Sequence, residues 1–282
     1  MNTDSAPVWF ITGCSTGLGR ALAQRVLEHG HRAVVTARNA DQISDIIASY
    51  PDTALGLSLD VNDVNLVEAA LAQTKQRFGD IDVLVNNAGY GYLAAVEEGE
   101  EQDIRDMFET NFFSLAALIR KVLPGMRERN SGHIVNISSV GGLLGAASSG
   151  YYNATKFALE GLTEALAQEV EPLGIRVTAI EPGPFRTDWA GRSLKQARHP
   201  IAAYADTAGA RRSQITARSG EQAGDPVRAA DAIIKVVESE TPPHNLVLGK
   251  NGLDRVRAKF AALMQSIDDW EDVTLSADYP DA

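Results

Sequence analysis

The 282 residues contain one cysteine, and 26 lysines and arginines are outnumbered by 37 acids. Cys14 has no partner within its own chain, which excludes a disulfide scaffold. The formal net charge of −11 sets the molecule's field against phosphate polyanions and anionic membrane surfaces, so nucleic acid is not expected as a partner. No apolar run approaches the roughly 18 residues of a membrane span, and the opening MNTDSAPVWFITG lacks the basic and apolar segments of a signal peptide. No repeat, low-complexity tract or Pro/Gly/Ser-rich linker divides the chain. With 44% hydrophobic residues, disorder is excluded as well. These absences leave a globular protein expected in the cytoplasm. It reads as one domain, residues 1–250, with a helix and acidic tail of the same domain over 251–282.

What is present is an alternation. Apolar, β-branched runs recur, each followed by a turn signal and then by apolar residues at helical spacing. The pattern predicts strands at 8–12, 33–36, 55–60, 83–86, 133–138, 176–181 and 245–248, and helices near 17–29, 40–49, 62–78, 101–123, 151–171 and 226–239. Strands that are nearly continuous apolar runs suit a parallel sheet covered on both faces. Right-handed crossovers then give an α/β fold with a doubly wound sheet of about seven strands.

The first predicted strand runs into Thr12-Gly13-Cys14-Ser15-Thr16-Gly17-Leu18-Gly19 and straight on into a helix. Glycines let the backbone approach a pyrophosphate, and the free N–H groups of a helix N-terminus favour its charge. Taken alone, the same turn also reads as a tight strand-to-helix connection. The second strand ends Thr36-Ala37-Arg38, where an Asp or Glu would bind a free ribose 2′-hydroxyl. A guanidinium there forks onto a 2′-phosphate, or merely starts the next helix at the surface. Further on, Ser138-Ser139 end the fifth strand and Tyr152-Asn153-Ala154-Thr155-Lys156 open a helix. Tyrosine and lysine at i and i+4 share one face, so an ammonium beside the phenol would favour phenolate and bring its pKa from about 10 toward working pH. Such a tyrosine hands a proton to a carbonyl oxygen held by the serine. An isolated YxxxK, however, is more often a core tyrosine with a solvated lysine.

With these residues in this order, the chain resembles the classical branch of the short-chain dehydrogenase/reductase family over roughly residues 8–250. The motifs are TGCSTGLG at 12–19, Asp60-Val61, Asn86-Asn87-Ala88-Gly89, Asn111, Ser139, Tyr152 with Lys156, and Pro182-Gly183 followed by Thr187. The resemblance implies a Rossmann fold and an oxidoreductase passing hydride between NADP(H) and a ketone, aldehyde or secondary alcohol. Ser139 is implied to orient substrate, selected over Ser138 by its thirteen-residue spacing to Tyr152. Tyr152 is implied as general acid/base, Lys156 as its electrostatic partner and a ribose ligand, and Asn111 as holder of a water in the proton relay. The implied cofactor site comprises Gly13, Ser15, Thr16, Gly17, Leu18, Gly19, Arg38, Asp60 (to adenine), Val61, Asn87, Ala88, Gly89, Pro182, Gly183 and Thr187, with no metal. Read without the family, Asn111 is a satisfied buried amide, Asn86 to Gly89 a turn, and Cys14 a small packing residue. Many NADP-using relatives carry a second base in the glycine loop, where this chain has Ser15 and Thr16, so NADP is preferred and NAD tolerated. Phrases such as Thr36-Ala37-Arg38-Asn39 look like the hydroxysteroid- and retinol-dehydrogenase-like part of the family. A catalytically silent NADP(H)-sensing protein is the alternative, against which the complete proton relay argues. A nucleotide-sugar epimerase is disfavoured by the glycine spacing.

Two segments break the alternation. Residues 185–225 run about 40 residues without a predicted strand, which suggests a lid. It carries Arg186, Arg192, Lys195, Arg198, Arg211, Arg212 and Arg218 among Phe185, Trp189, Ile201, Tyr204 and Ile215, an arrangement that could cover an apolar substrate and meet its carboxylate or the cofactor phosphates, or serve as solvated or intersubunit charge. Residues 141–147 and Tyr92 are expected to complete the substrate pocket. In the tail, Val256, Phe260, Leu263, Ile267 and Trp270 form a helical apolar stripe expected to pack, followed by an acidic end expected to fray. The apolar faces of helices 101–123 and 151–171, with Phe112, Phe113, Leu115 and Leu118, are implied to pair subunits as a homodimer or homotetramer, or else cover the monomer's own sheet.

Overall fold

A computed structural model of the chain describes residues 6–187 and 194–279. Seven parallel strands form one sheet: β1 Val8–Ile11, β2 Arg32–Ala37, β3 Ala54–Ser58, β4 Val83–Asn86, β6 Gly132–Ile137, β7 Ile175–Pro182 and β9 Asn245–Leu248. Their order is β3-β2-β1-β4-β6-β7-β9, so the direction of winding reverses between β1 and β4. Ligands of such sheets bind in the crevice that this reversal opens at the strands' C-terminal ends. All seven expected strands are present, with ends moved by one or two residues.

Strand alternation divides the core into two layers. Trp9 and Ile11 of β1 face α1 (Gly17–Glu28) and α8 (Pro226–Val237), packing with Leu22, Val26, Ile233 and Ile234. Val8 and Phe10 face the other side, where α3 (Val64–Phe78), α5 (Ser114–Arg129) and α6 (Gly150–Val170) supply Val67, Leu118, Met126, Leu159 and Leu166. Between these layers Asn86 Nδ2 donates to Asn136 Oδ1 at 2.9 Å, and Asn136 Nδ2 to Thr163 Oγ1 at 2.9 Å. This ladder of neutral hydrogen bonds fixes α6, and hence its Tyr152 face, on β4 and β6.

Several predicted helices are built differently. The region 40–49 is a 3₁₀ turn, Ala40–Ile43, followed by α2, Ser44–Ser49. The single helix expected over 101–123 is α4, Glu101–Phe108, a π turn, Glu109–Phe113, and α5, which continues past Pro124 to Arg129. Burial of Met126 and the left-handed cap at Asn130 (φ 52°) hold the last turn, outweighing a proline whose interior cost is about 3 kcal/mol. Two strands are also present where none was expected: β8, Leu194–Gln196, pairs in parallel with β5, Gly91–Leu93, setting Lys195 opposite Tyr92. Three residues of leucine, lysine and glutamine carry no alternation to read. Further along the described part of the segment come short 3₁₀ and π turns over 202–209 and α7, Ala210–Ala217, an ordered cover beside β5. Trp189 and Arg192 lie outside the described residues.

The C-terminal helix α9, Lys250–Asp269, continues into α10, Glu271–Leu275, so the acidic end is helical through Leu275. No described helix is long and apolar enough to cross a membrane.

Candidate active site

The glycine loop connects β1 to α1. Gly13 and Gly17 have φ of 72° and 64°, which side chains rarely adopt. A Cβ at Gly19 would lie 2.6 Å from the Gly13 carbonyl oxygen and run into the Asn87 amide, so this glycine is required by close approach. Asn87 Nδ2 donates to the carbonyls of Thr12 (2.8 Å) and Gly13 (3.0 Å). Thr12 Oγ1 in turn accepts from the Asn87 and Ala88 N–H groups at 2.9 and 3.0 Å. Asn87 and Ala88 thus clamp the loop from behind. The α1 N-cap, Thr16, makes no side-chain cap, and no acid stands in the first turn. The N–H groups of this turn, from Gly17 to Gly19, are therefore presented to an anion.

Around this cradle, Arg38 is exposed at the end of β2, and among the described residues no hydrogen bond or ion pair occupies its guanidinium. Asp60 caps the end of β3, its Oδ1 accepting from Asn62 N–H at 3.0 Å, while Val61 packs against the core. Thr187 approaches Gly17 closely enough that a Cβ there would sit 3.4 Å from Thr187 Cβ. Gly183 N–H donates to Leu248 O at 2.9 Å, anchoring the Pro182–Gly183 turn against β9. The cradle, its uncapped helix and a neighbouring free guanidinium fit a dinucleotide phosphate group.

Next to it the catalytic candidates converge. Ser139 Oγ accepts from Gly141 N–H at 3.0 Å, and a Cβ at Gly141 would lie 3.3 Å from both Ser139 Oγ and Tyr152 Cε1. Asn153, which the sequence analysis did not single out, shapes this loop: it donates to Gly141 O at 2.8 Å and accepts from Ala146 N–H at 3.0 Å. Its only signal was its place between Tyr152 and Lys156. Lys156 Nζ is buried, donates to Ile137 O at 2.8 Å and stands 5.9 Å from the Tyr152 ring centroid.

The electrostatics differ from the expectation at Tyr152. Removal from water pushes the phenol up to about 12, with a hydrogen bond to Ser139 pulling the other way. Burial pushes Lys156 down to about 8, opposed by Glu160 one helical turn on. The ammonium is thus itself destabilised, and burial of the phenol dominates over its proximity.

Asn111 occupies the π turn, an irregularity often found at functional sites. It is 1% exposed; its Nδ2 donates to Tyr90 O (2.9 Å) and Thr155 Oγ1 (3.2 Å), and its Oδ1 accepts from Tyr90 N–H (3.0 Å). The side-chain amide is therefore committed to protein partners. A Cβ at Gly89 would lie 3.0 Å from Asn111 Oδ1 and 4.0 Å from Lys156 Nζ, so Gly89 leaves the space between them open. Tyr92, expected in the substrate pocket, is instead 1% exposed and packs with Met107 in a cluster that the Tyr152 ring joins.

Three of the cover's cations, Lys195, Arg198 and Arg212, have carboxylate partners. The buried Glu98 carboxylate takes Arg212 and accepts from the N–H groups of Ala95 and Ile201, each at 2.8 Å; these contacts hold it down at about 2. Lys195 pairs with Asp103 at 2.9 Å, Arg198 with Glu100 at 2.8 Å and Asp103 at 3.0 Å, and Tyr204 donates to Glu97 at 2.6 Å. Arg211 differs: its Nε is buried without a hydrogen-bond partner. Cys14 is buried against Ile11 O and pushed up to about 12, which makes it a packing residue.

Residues 7–198 match the model of the short chain dehydrogenase family. An oxidoreductase of Botryotinia fuckeliana, BOA17, is 35% identical over 271 residues, covering 96% of this chain and 98% of the relative. Human retinol dehydrogenase 8 is 38% identical over 191 residues, 66% of this chain and 61% of its own. Among solved structures, a short-chain dehydrogenase from Streptomyces avermitilis superposes with a TM-score of 0.91 at 42% identity, covering 97% of this chain and 99% of that one. A variant of actinorhodin polyketide ketoreductase with NADPH gives 0.74 at 30% identity, covering 88% and 97%.

Proposed function

Because the chain belongs to the short-chain dehydrogenase family, whose retinol-dehydrogenase-like part it matches, we propose that it interconverts a ketone or aldehyde and its alcohol with NADP(H), NAD being tolerated. The observation that carries this reading is the convergence of Ser139 Oγ and the Tyr152 ring on one point, beside the uncapped α1 N-terminus. Gly13 and Ser15 to Gly19 would hold the pyrophosphate, Arg38 the 2′-phosphate, Asp60 and Val61 the adenine side, and Pro182, Gly183 and Thr187 the far side. The solved ketoreductase with NADPH supports this choice of nucleotide. Bound there, the nicotinamide supplies or accepts hydride.

The chain's own residues then handle the proton. Ser139 holds the substrate oxygen by hydrogen bond, and Tyr152, kept protonated by its burial, gives its proton to that oxygen in the reductive direction. Lys156, with its ammonium beneath the ring, steadies the negative charge left on the phenol and contacts the ribose. Asn111 fixes the backbone at Tyr90, and thereby Gly89, at the edge of the cleft where a relay water would enter. The whole chain acts as one cytoplasmic domain. Phe113 and Phe157, 53% and 45% exposed, are the parts of the α4–α6 faces left for subunit pairing, since Leu115 and Leu118 lie in the monomer's own core. A coupled absorbance screen of carbonyls and alcohols with both nucleotides tests the proposal. NADPH-dependent reduction of a ketone is expected, and no turnover with any carbonyl or alcohol under either nucleotide would overturn it.

A further inference from the structure

Among the described residues, helix α9 is anchored at its base. Gly252 and Val256 are its buried residues, Val256 packing on Val140 and Leu144, and from Arg257 to Tyr279 every residue is exposed. Beyond Val256, the stripe expected to pack is therefore left exposed, with no buried contact among the described residues. Leu253, Val256, Phe260, Leu263, Ile267 and Trp270 alternate at spacings of three and four, the seam of a coiled coil, and Phe260, Leu263, Ile267 and Trp270 are 46, 43, 49 and 61% exposed. Apolar area arranged in such a seam marks an interaction surface for another helix.

The charges on the same helix identify the partner. Arg255, Arg257 and Lys259 are its basic third, and no acid follows them until Asp268. Asp268 and Asp269 at its C-terminal end, followed by Glu271 and Asp272 at the start of α10, are acidic, with no base after Lys259. A helix basic at one end and acidic at the other complements its own copy when the two run antiparallel, and repels it when they run parallel.

We propose that α9 pairs antiparallel with α9 of a second copy of this chain, about a two-fold axis near Met264. In heptad terms Phe260 packs on Trp270 of the partner subunit, Leu263 on the partner's Ile267, and Arg257 stands beside the partner's Glu271. The seam extends the assembly away from the α4–α6 faces and is independent of the reaction assigned to the cleft.

Cross-linking separates this pairing from any other contact, because Cys14 is buried and an added cysteine is the reactive one. Under mild oxidation Met264→Cys is expected to join to itself as a covalent dimer. Arg257→Cys alone should stay uncross-linked, but mixed with Glu271→Cys it should give the mixed dimer. Arg257→Glu should weaken self-association at least tenfold by sedimentation, and Glu271→Arg on the same chain should restore it. Self-linking of Arg257→Cys would establish a parallel pair and overturn the proposal. So would an uncross-linked Met264→Cys, or a chain that binds phosphatidylcholine vesicles and shows no α9 cross-link.

Discussion

The floor of the active site and its cover are held by different forces. On the floor, Asn86, Asn136 and Thr163 join strand to helix through neutral hydrogen bonds, and Asn111, Asn153 and Lys156 are fixed by backbone carbonyls. Over it, residues 194–217 are tied to the acidic strip 97–103 by Glu98–Arg212, Asp103–Lys195 and Glu100–Arg198. Buried hydrogen bonds resist screening by salt, whereas the exposed pairs of Lys195 and Arg198 contribute about 0–1 kcal/mol each and are screened, Glu98–Arg212 being the one buried pair of the three. The floor thereby holds its geometry through buried hydrogen bonds, and residues 194–198 are held by weaker pairs that salt screens.

The sharpest break in the comparison comes from each region's central residue. Tyr152→Phe deletes a proton donor and little volume, so turnover should fall at least a hundredfold while NADPH affinity, read by fluorescence titration, stays within about twofold. Arg212→Ala leaves the Glu98 carboxylate buried and unpaired, a loss of about 3–5 kcal/mol that should appear as faster hydrogen exchange across 194–217 with floor exchange unchanged. Acid should act at the same place. Glu98 is held at about 2, below its ordinary 4.5, so its stabilisation is complete above about pH 4.5 and lost as pH falls from there toward 2.

A smaller effect is expected from Arg38→Asp, which puts a like charge beside a 2′-phosphate. The ratio of kcat/KM for NADP over NAD should drop at least tenfold; a constant ratio would mean that Arg38 points elsewhere. The pH–rate profile distinguishes the floor's titrating group. Lys156 sits at about 8 and Tyr152 at about 12, so the ammonium is present below pH 8 and lost above it while the phenol keeps its proton. Carbonyl reduction should decline as pH rises through about 8. The smallest effect is Arg198→Ala on the exposed rim, expected to change stability by less than about 1 kcal/mol and to lose even that in high salt.

What could be read in the sequence follows the same division. The floor was legible because backbone constraints leave fixed residue types: glycines at 13, 17 and 19, Ser139, and tyrosine and lysine one helical turn apart. The seven strands were legible as apolar runs. The cover was not, because its order comes from charge pairs about 100 residues apart in sequence, such as Glu98 with Arg212, and from a three-residue strand without alternation. One signal was available: the acidic block Glu97-Glu98-Gly99-Glu100-Glu101 matches the basic excess of 185–225. The lowered tyrosine pKa failed for another reason, since one-turn spacing gives proximity but says nothing of burial. Burial also separates two of the lid arginines: Arg198 is paired at the surface, whereas Nε of Arg211 is buried without a hydrogen-bond partner among the described residues.

The central claim, that this floor passes hydride to a carbonyl carbon, is tested most directly with NADPH carrying deuterium at the transferring position. Mass spectrometry of the alcohol formed from a reduced ketone should find one deuterium on the carbinol carbon with the wild-type chain and no product with Tyr152→Phe. Alcohol formed without deuterium in both positional isotopomers of the nucleotide, or formed equally by Tyr152→Phe, would contradict the account.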